Sequence, residues 1–317
     1  MRKQGDRVKH IEVRGNMTVD ELVREFGKSG VFSAGRVAEA CDIFYEMVAH
    51  KGVTKYLGLA GALVPCGMRQ IITDLIHDRM VDVLVTTGAN MVHDMIEAFG
   101  AAHYKGSATV DDSELCRRQI DRIYDVFLHE KDFVKYDELF VKMLEDIPSR
   151  QMSIREFLCE IGKRIDDTNS ILRTAAEKKV PIFCPAVADS AIGLDVWRFM
   201  SKHNPNLSVN AFSDLDDFMN IVRKADRNGA ILLGGGVPKN FILQAMITIK
   251  RGGYDYVVQV TMDRPEPGGL SGATLEEAKS WGKVKGGARA VQVIGDASVI
   301  FPLMVADVRE RLAKRKR

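Results

Sequence analysis

The chain has 317 residues, with 45 Lys+Arg against 43 Asp+Glu and a formal net charge of +2. So even a balance argues against a general nucleic-acid surface. Hydrophobic residues at 46% and charged residues at 28% are those of a soluble globular chain, long enough for one large domain or two smaller ones. The opening Met1-Arg2-Lys3-Gln4-Gly5-Asp6 lacks the apolar core of a signal peptide, and residues 1–17 read as a short lead-in. Thr18 and Glu21 then have the spacing of a capping box that opens a helix. Val37, Ala40, Cys41, Phe44, Met47 and Val48 continue at helical spacing, and Lys55–Leu59 reads as a strand. Pro65 suits the first turn of a helix whose buried stripe is Met68, Ile71, Ile72, Leu75 and Ile76. Val81–Val85 is a short strand that ends in Thr86-Thr87-Gly88-Ala89-Asn90 and leads into another helix. Residues 104–180 read as mostly helical, with a second capping box at Ser153 and Glu156. Strands return at Val180–Cys184, Ala230–Leu233, Tyr256–Thr261 and Ala290–Ile294. The β-α-β-α order predicts an α/β fold with a mainly parallel sheet, helices on both faces and extra helical decoration. No Pro/Ser-rich linker or internal repeat interrupts it, so 1–317 reads as a single domain. Its basic end, 312–317 with Lys314-Arg315-Lys316-Arg317, reads as a solvated tail.

Cys41, Cys66, Cys116, Cys159 and Cys184 make an odd set without a CxxC pair, which argues against a disulfide framework and a structural zinc site. With no run of about 18 apolar residues to span a membrane, the expected compartment is a reducing cytoplasm. No HExxH, GxSxG, Walker A or paired Cys/His spacing is present, which disfavours metal hydrolysis, serine hydrolysis and P-loop chemistry.

Several strands end in small or hydroxyl residues: Thr87-Gly88, Ala188-Asp189-Ser190, Gly234-Gly235-Gly236 and Gly295-Asp296-Ala297-Ser298. In parallel sheets ligands bind at such carboxyl ends, where glycines admit a phosphate or a flat ring and helix N-termini attract anions. A carboxylate such as Asp189 or Asp296 would grip ribose hydroxyls. The same residues also suit ordinary turns, and the residues alone do not choose between the two readings. The GxGxxG fingerprint is absent, so a dinucleotide would be bound in a non-standard way.

Ser280-Trp281-Gly282-Lys283 carries the strongest chemical signal. A lysine amine is a nucleophile only when it has lost its proton, and an aromatic wall that excludes water favours that form. On these four residues alone a solvated surface lysine is the commoner outcome. Upstream, Gly268-Gly269-Leu270-Ser271-Gly272-Ala273-Thr274 reads as a flexible loop. Thr274 and Glu277 have capping-box spacing, and Glu277 is placed to hold a cationic amine or move its proton. His93, after the Thr86–Asn90 turn, is by type more often a hydrogen-bonded structural residue than a catalyst.

Together these segments resemble the deoxyhypusine synthase family, from about His10 to Arg311. The most specific matches are Gly234-Gly235-Gly236-Val237-Pro238-Lys239, Ser271-Gly272-Ala273, Glu277-Ala278, Ser280-Trp281-Gly282-Lys283, and Asp296-Ala297-Ser298 ahead of Phe301-Pro302-Leu303. The resemblance implies a Rossmann-like sheet that binds NAD, a homotetramer of close dimers, and a site shared between chains of a dimer. It implies oxidation of spermidine with NAD, attack of Lys283 on the resulting imine, and departure of 1,3-diaminopropane. The aminobutyl group then passes to a lysine of translation initiation factor 5A, and the retained NADH reduces the new imine. Covalent capture of this kind splits one hard transfer into two easier ones. By position the resemblance assigns Lys283 as catalytic. It places Glu277, Trp281, His93 and Asn240 around the polyamine, and Thr87, Gly88, Asp189, Gly235, Asp296 and Ala297 around NAD.

The chain departs from the family pattern at the polyamine site. Asn240 replaces a histidine, Val92 and His93 replace an acidic pair, Leu194 replaces an aspartate, and Leu270 stands in the polar loop. Each lost carboxylate removes a charge-assisted contact worth roughly 1.5–3 kcal/mol; Glu266, Asp263 and Asp195 are the nearby substitutes. The Gly268–Thr274 form resembles a prokaryotic deoxyhypusine synthase-like branch. Agmatine as donor, or putrescine as acceptor giving homospermidine, is the variant reaction. A non-catalytic NAD-binding relative and an ordinary NAD dehydrogenase are the rivals from other classes. Loss of function on removing the Lys283 amine speaks against the first, and group transfer to an amine against the second.

Overall fold

The computed structural model describes residues 5–249 and 252–315. Met1–Gln4, Lys316 and Arg317, which belong to the expected lead-in and tail, lie outside the described residues. In chain order the helices are α1 (Val19–Ser29), α2 (Phe32–Ala49), α3 (Arg69–His77), α4 (Gly88–Ala98), α5 (Asp112–Arg117), α6 (Glu130–Glu145), α7 (Ile154–Gly162), α8 (Ile171–Lys178), α9 (Ala191–Lys202), α10 (Ser213–Lys224), α11 (Gly236–Ile249), α12 (Leu275–Ser280) and α13 (Ala297–Arg315). The strands are β1 (Val53–Leu59), β2 (Val83–Val85), β3 (Tyr104–Lys105), β4 (Ile120–Ile123), β5 (Val126–His129), β6 (Gln151–Ser153), β7 (Ile182–Phe183), β8 (Ser208–Asn210), β9 (Arg227–Leu233), β10 (Tyr254–Thr261) and β11 (Val284–Ile294). The fold class is α/β, with mainly parallel sheet strands flanked by helices, as the alternation of elements predicts. Residue contacts group the chain, read above as one domain, into two compact units.

The first unit is Met1–Gly58 with Ile221–Arg317. Its strands run in the order β11-β10-β9-β1, and β10 is parallel to both β9 and β11. The pairing skips from Tyr254–Val284 to Tyr256–Arg289, so β11 bulges over residues 285–288. The apolar run Val257, Val258 and Val260 is fully buried, as a strand covered on both faces requires. The predicted stripe of α2 places Ala40, Cys41, Phe44 and Met47 in the core, where each large side chain contributes ~1.5–3 kcal/mol. The Thr18–Glu21 capping box is formed in both directions. At the other end the expected solvated tail differs: 312–315 continue α13, and Lys314 pairs with buried Asp20 at 2.7 Å.

The second unit is Leu59–Asn220. Here β2 and β7 pair in parallel, and α4 packs on α6, α8 and α9. The Ser153–Glu156 capping box forms as predicted. Two local expectations are corrected. Pro65 lies in an irregular turn, Val64–Met68, broken by Gly67 at φ 90°, so the helix begins only at Arg69. The stretch 104–180 also holds the antiparallel sheet β3-β5-β4. Its hairpin turns through Tyr124-Asp125 with Tyr124 at φ 55°, a turn that lacks the Asn-Gly or Gly signature of two-residue loops.

Candidate active site

Lys283 is delivered by a helix cap within the first unit. Thr274 opens α12 by accepting a hydrogen bond from Glu277 N at 3.0 Å. Among the described residues the Glu277 carboxylate makes no return bond, so only half of the expected capping box forms. At the other end Gly282 takes φ 67°, its N–H donates to Lys279 O at 2.9 Å, and Lys283 N–H donates to Ala278 O at 3.0 Å. This pair of bonds is a Schellman motif, which needs a residue comfortable in the left-handed region. The glycine of the Trp-Gly-Lys run thus turns the chain from α12 into β11, and Tyr254 N–H anchors Lys283 O at 3.0 Å.

The amine of Lys283 is half-buried and donates to Asn240 Oδ1 at 3.1 Å. Asn240 is itself oriented by its Nδ2–H, which donates to Gln244 Oε1 at 3.0 Å one turn along α11. The Trp281 ring centroid lies 5.9 Å from Lys283 Nζ, but Trp281 is 63% exposed. The indole therefore flanks the amine without walling it off from water within the chain, which corrects the expected apolar enclosure.

Beside this amine stands a layer of tightly fitted backbone. A side-chain carbon on Gly235 would come within 2.3 Å of Ser271 Cα. Gly235 is therefore where the Ser271 loop lies on the turn between β9 and α11, a close approach that only glycine permits. Ser271 Oγ accepts from Gly236 N–H at 3.1 Å. Gln259, buried on β10, donates through Nε2 to Gly234 O at 3.0 Å and to Ser271 O at 2.9 Å. Lys239, 5% exposed on α11, donates to Leu270 O at 3.0 Å and Ala273 O at 2.5 Å. Burial pushes its ammonium down to about 8; Glu277 opposes that shift and Lys283 adds to it. Neither Lys239 nor Gln259 stands out in the sequence as a site residue. The readable signals were a lysine ending the triple-glycine motif and a lone glutamine inside the apolar run Tyr256–Thr261. Also in this unit, Asp296 Oδ1 accepts from Ser298 N–H at 2.8 Å at the start of α13, directly before Ala297. Asp263 and Glu266 are exposed, and Glu266 pairs with Arg264 at 3.5 Å.

The second unit holds the other predicted residues. Thr87 precedes α4 without a side-chain cap on the helix, and its hydroxyl accepts from Asn90 Nδ2 at 3.3 Å. A carbon on Gly88 would stand 2.2 Å from Ser190 Oγ, so the turns that follow β2 and β7 touch. Asp189, in the second of these turns, is exposed. His93 is 8% exposed and inward-facing: its Nδ1 lies 2.9 Å from His103 Nε2, and His103 Nδ1 lies 2.7 Å from Glu97 Oε1. Burial, then the neighbouring His103, pushes His93 down to about 4 against the pull of Glu97. Val92 is buried and Leu194 exposed on α9. Asp195 is buried beside Tyr136 and Asp137 and pairs with Arg198 at 3.5 Å; burial and Asp137 push it up to about 6. Its carboxyl is thus taken up between α6 and α9. Asp94 is fully buried, taking Ile171 and Leu172 N–H at 3.0 Å and Arg69 Nε at 2.7 Å.

A family model of deoxyhypusine synthase matches residues 21–308. "Probable deoxyhypusine synthase 1" of Methanosarcina acetivorans is 54% identical over 308 residues, covering 97% of this chain and 96% of that one. "Probable deoxyhypusine synthase" of Methanothermobacter thermautotrophicus is 42% identical, with 96% and 98% covered. The chain belongs to the deoxyhypusine synthase family. Membership over this length makes it an enzyme of the transferase class. The fold agrees: the crystal structure of "a putative deoxyhypusine synthase from Entamoeba histolytica" superposes with a TM-score of 0.65 at 20% identity, covering 95% of this chain and 96% of that one. No helix among the described residues is long and apolar enough to cross a membrane.

Proposed function

We propose that the chain is an NAD-dependent aminobutyl transferase that works through an imine on Lys283, with spermidine as donor and a lysine of translation initiation factor 5A as acceptor. The observation that carries this reading is the Lys283 amine, delivered by the Schellman turn and held by Asn240 Oδ1. When bound, NAD supplies the hydride acceptor for the donor's amine carbon and returns that hydride at the end. The exposed carboxylate of Asp189 suits ribose hydroxyls, and the N-terminus of α4 after Thr87, without a side-chain cap, suits a phosphate. Gly88 belongs with these two. In the first unit Gly235, Asp296 and Ala297 are the proposed cofactor contacts.

Lys283 adds its nitrogen lone pair to the donor's imine carbon, and the bond from that carbon to the old nitrogen breaks. For spermidine the departing amine is 1,3-diaminopropane. The acceptor amine repeats the exchange and frees Lys283. Asn240 orients the attacking nitrogen, while the carboxylate of Glu277, exposed and without a hydrogen-bond partner among the described residues, takes a cationic nitrogen of the donor. Trp281 supplies an apolar and π surface for the alkyl chain and its charges. His93 belongs to this proposal only by position, since its ring nitrogen already meets His103.

Agmatine as donor, or putrescine as acceptor, is the second reading. Asn240 and Leu270 favour it, because neither brings a carboxylate to the amine site. The assembly proposed from the resemblance is a homotetramer, which would cover the exposed apolar side chains of Met262, Leu270, Trp281 and Val299. The proposed compartment is the cytoplasm.

The test is borohydride trapping with NAD and labelled spermidine, agmatine or putrescine, followed by peptide mass spectrometry. An aminobutyl adduct on Lys283 that is lost in Lys283→Ala is the expected result. No adduct on Lys283 with any donor would end the proposal.

A further inference from the structure

The proposed reaction leaves one buried cation without a task. Lys239 precedes Asn240 on α11, so the two side chains leave the helix about 100° apart. Asn240 takes the Lys283 amine, while Lys239 takes two carbonyls of the loop that runs into α12. That loop is also tied through Ser271 to Gln259 and Gly236. After it come Thr274, the two turns of α12, and Gly282 with Lys283. One stretch of α11 therefore holds both the reactive amine and the backbone that presents it.

We propose that Lys239 is a positioning residue: its ammonium clamps the 270–273 loop so that α12 and its cap deliver Lys283 to Asn240. The inference rests on the proposed role of Lys283 for its chemistry, but its geometry is independent of any donor. Keeping an ammonium out of water is expensive, and a cation retained at 5% exposure points to a task that packing alone does not need. The clamp is also specific in kind. A point charge with three rotatable N–H donors satisfies two carbonyls at once and still faces Glu277 and Lys283 electrostatically. An apolar residue of the same length fills the space and leaves both carbonyls unpaired.

The test compares wild type with Lys239→Met and Lys239→Arg by two readouts. Amide hydrogen exchange of the 270–283 segment needs no substrate. It is expected to quicken about tenfold in Lys239→Met, the loss of roughly one hydrogen bond to a charged donor, and to stay near wild type in Lys239→Arg. Single-turnover trapping at Lys283 is expected to slow by one to two orders of magnitude in Lys239→Met, the scale of a small misplacement of a reacting group. The donor concentration for half-saturation should change little, and Lys239→Arg should recover most of the rate. Unchanged exchange and unchanged trapping in Lys239→Met overturn the proposal. So does a loss confined to donor affinity. If Lys239→Met does not fold, Lys239→Gln, which keeps a neutral N–H donor, decides by the same readouts. If wild type traps nothing, the reaction proposed above fails, while the exchange data still judge the clamp.

Discussion

At the scale of single residues, the site is a matter of one acceptor. Asn240 Oδ1 is the hydrogen-bond partner of the Lys283 amine among the described residues, and Gln244 fixes which end of the Asn240 amide faces it. An amide oxygen accepts from an amine or an ammonium alike and brings no charge of its own. Replacing it with an apolar group removes about 1 ± 0.5 kcal/mol of orientation energy, typical for one such bond. Asn240→Leu is therefore expected to slow capture of an amine donor on Lys283 by roughly fivefold, with the thermal midpoint within a degree or two of wild type. A single-turnover trapping assay beside a thermal melt measures both. A large drop in melting temperature would mean that Asn240 serves packing instead.

The elements explain why the lysine sits where it does. Six residues of α12 are too few to be stable in isolation. The helix persists because Thr274 caps one end and the Gly282 turn closes the other. Its outgoing strand is pinned at once by Tyr254. Gly282→Ala places a side chain at φ 67°, which costs about 1 kcal/mol. The expected outcome is an unfolding free energy, measured by denaturant titration, lowered by that amount, together with weaker trapping at Lys283, since the cap and the reactive residue are neighbours. Equal stability with full trapping would show that the turn relaxes freely. The same logic of paired backbone ends appears at Asp94, where one carboxylate satisfies the N–H groups of Ile171 and Leu172 at the start of α8 and holds Arg69 of α3.

Across the molecule, buried titrating groups set how stability follows pH, and they pull in opposite directions. His93 has a native pKa of about 4 against 6.5 for the free side chain. Between these values the unfolded chain binds more protons, so stability is lost as pH falls from about 6.5 to about 4, by an order of ~3 kcal/mol. Asp195 is reversed, at about 6 in the native state against 3.8. There the folded chain binds more protons, so stability rises as pH falls through 6. Asp195→Asn should therefore be more stable than wild type at pH 7, and that gain should shrink as the pH falls toward 4. Urea titrations at both pH values check it, and destabilisation at pH 7 would show that the carboxylate is held by attraction that outweighs its burial and Asp137. His93→Asn should lose the acid limb that His93 contributes.

Local signals in the sequence determined a good part of this protein. The capping boxes at Thr18 and Ser153, the turn after β2, the valine runs of the buried strands and the Trp-Gly-Lys segment all depend on neighbours within a few residues, and the chain cannot hide such patterns. The hairpin through Tyr124 escaped because its left-handed turn uses no glycine or asparagine. The tertiary structure alone decided what surrounds the chemistry. Asn240 reaches Lys283 across 43 residues of chain, and Lys239 reaches Leu270 across 31. The inward turn of His93 toward His103 and the exposure of Trp281 likewise follow from which surfaces face each other after folding. A side chain's type limits what it is able to do, but its partner is chosen by the path of the backbone between them, and that path is the sum of many weak contacts that no short stretch of sequence records.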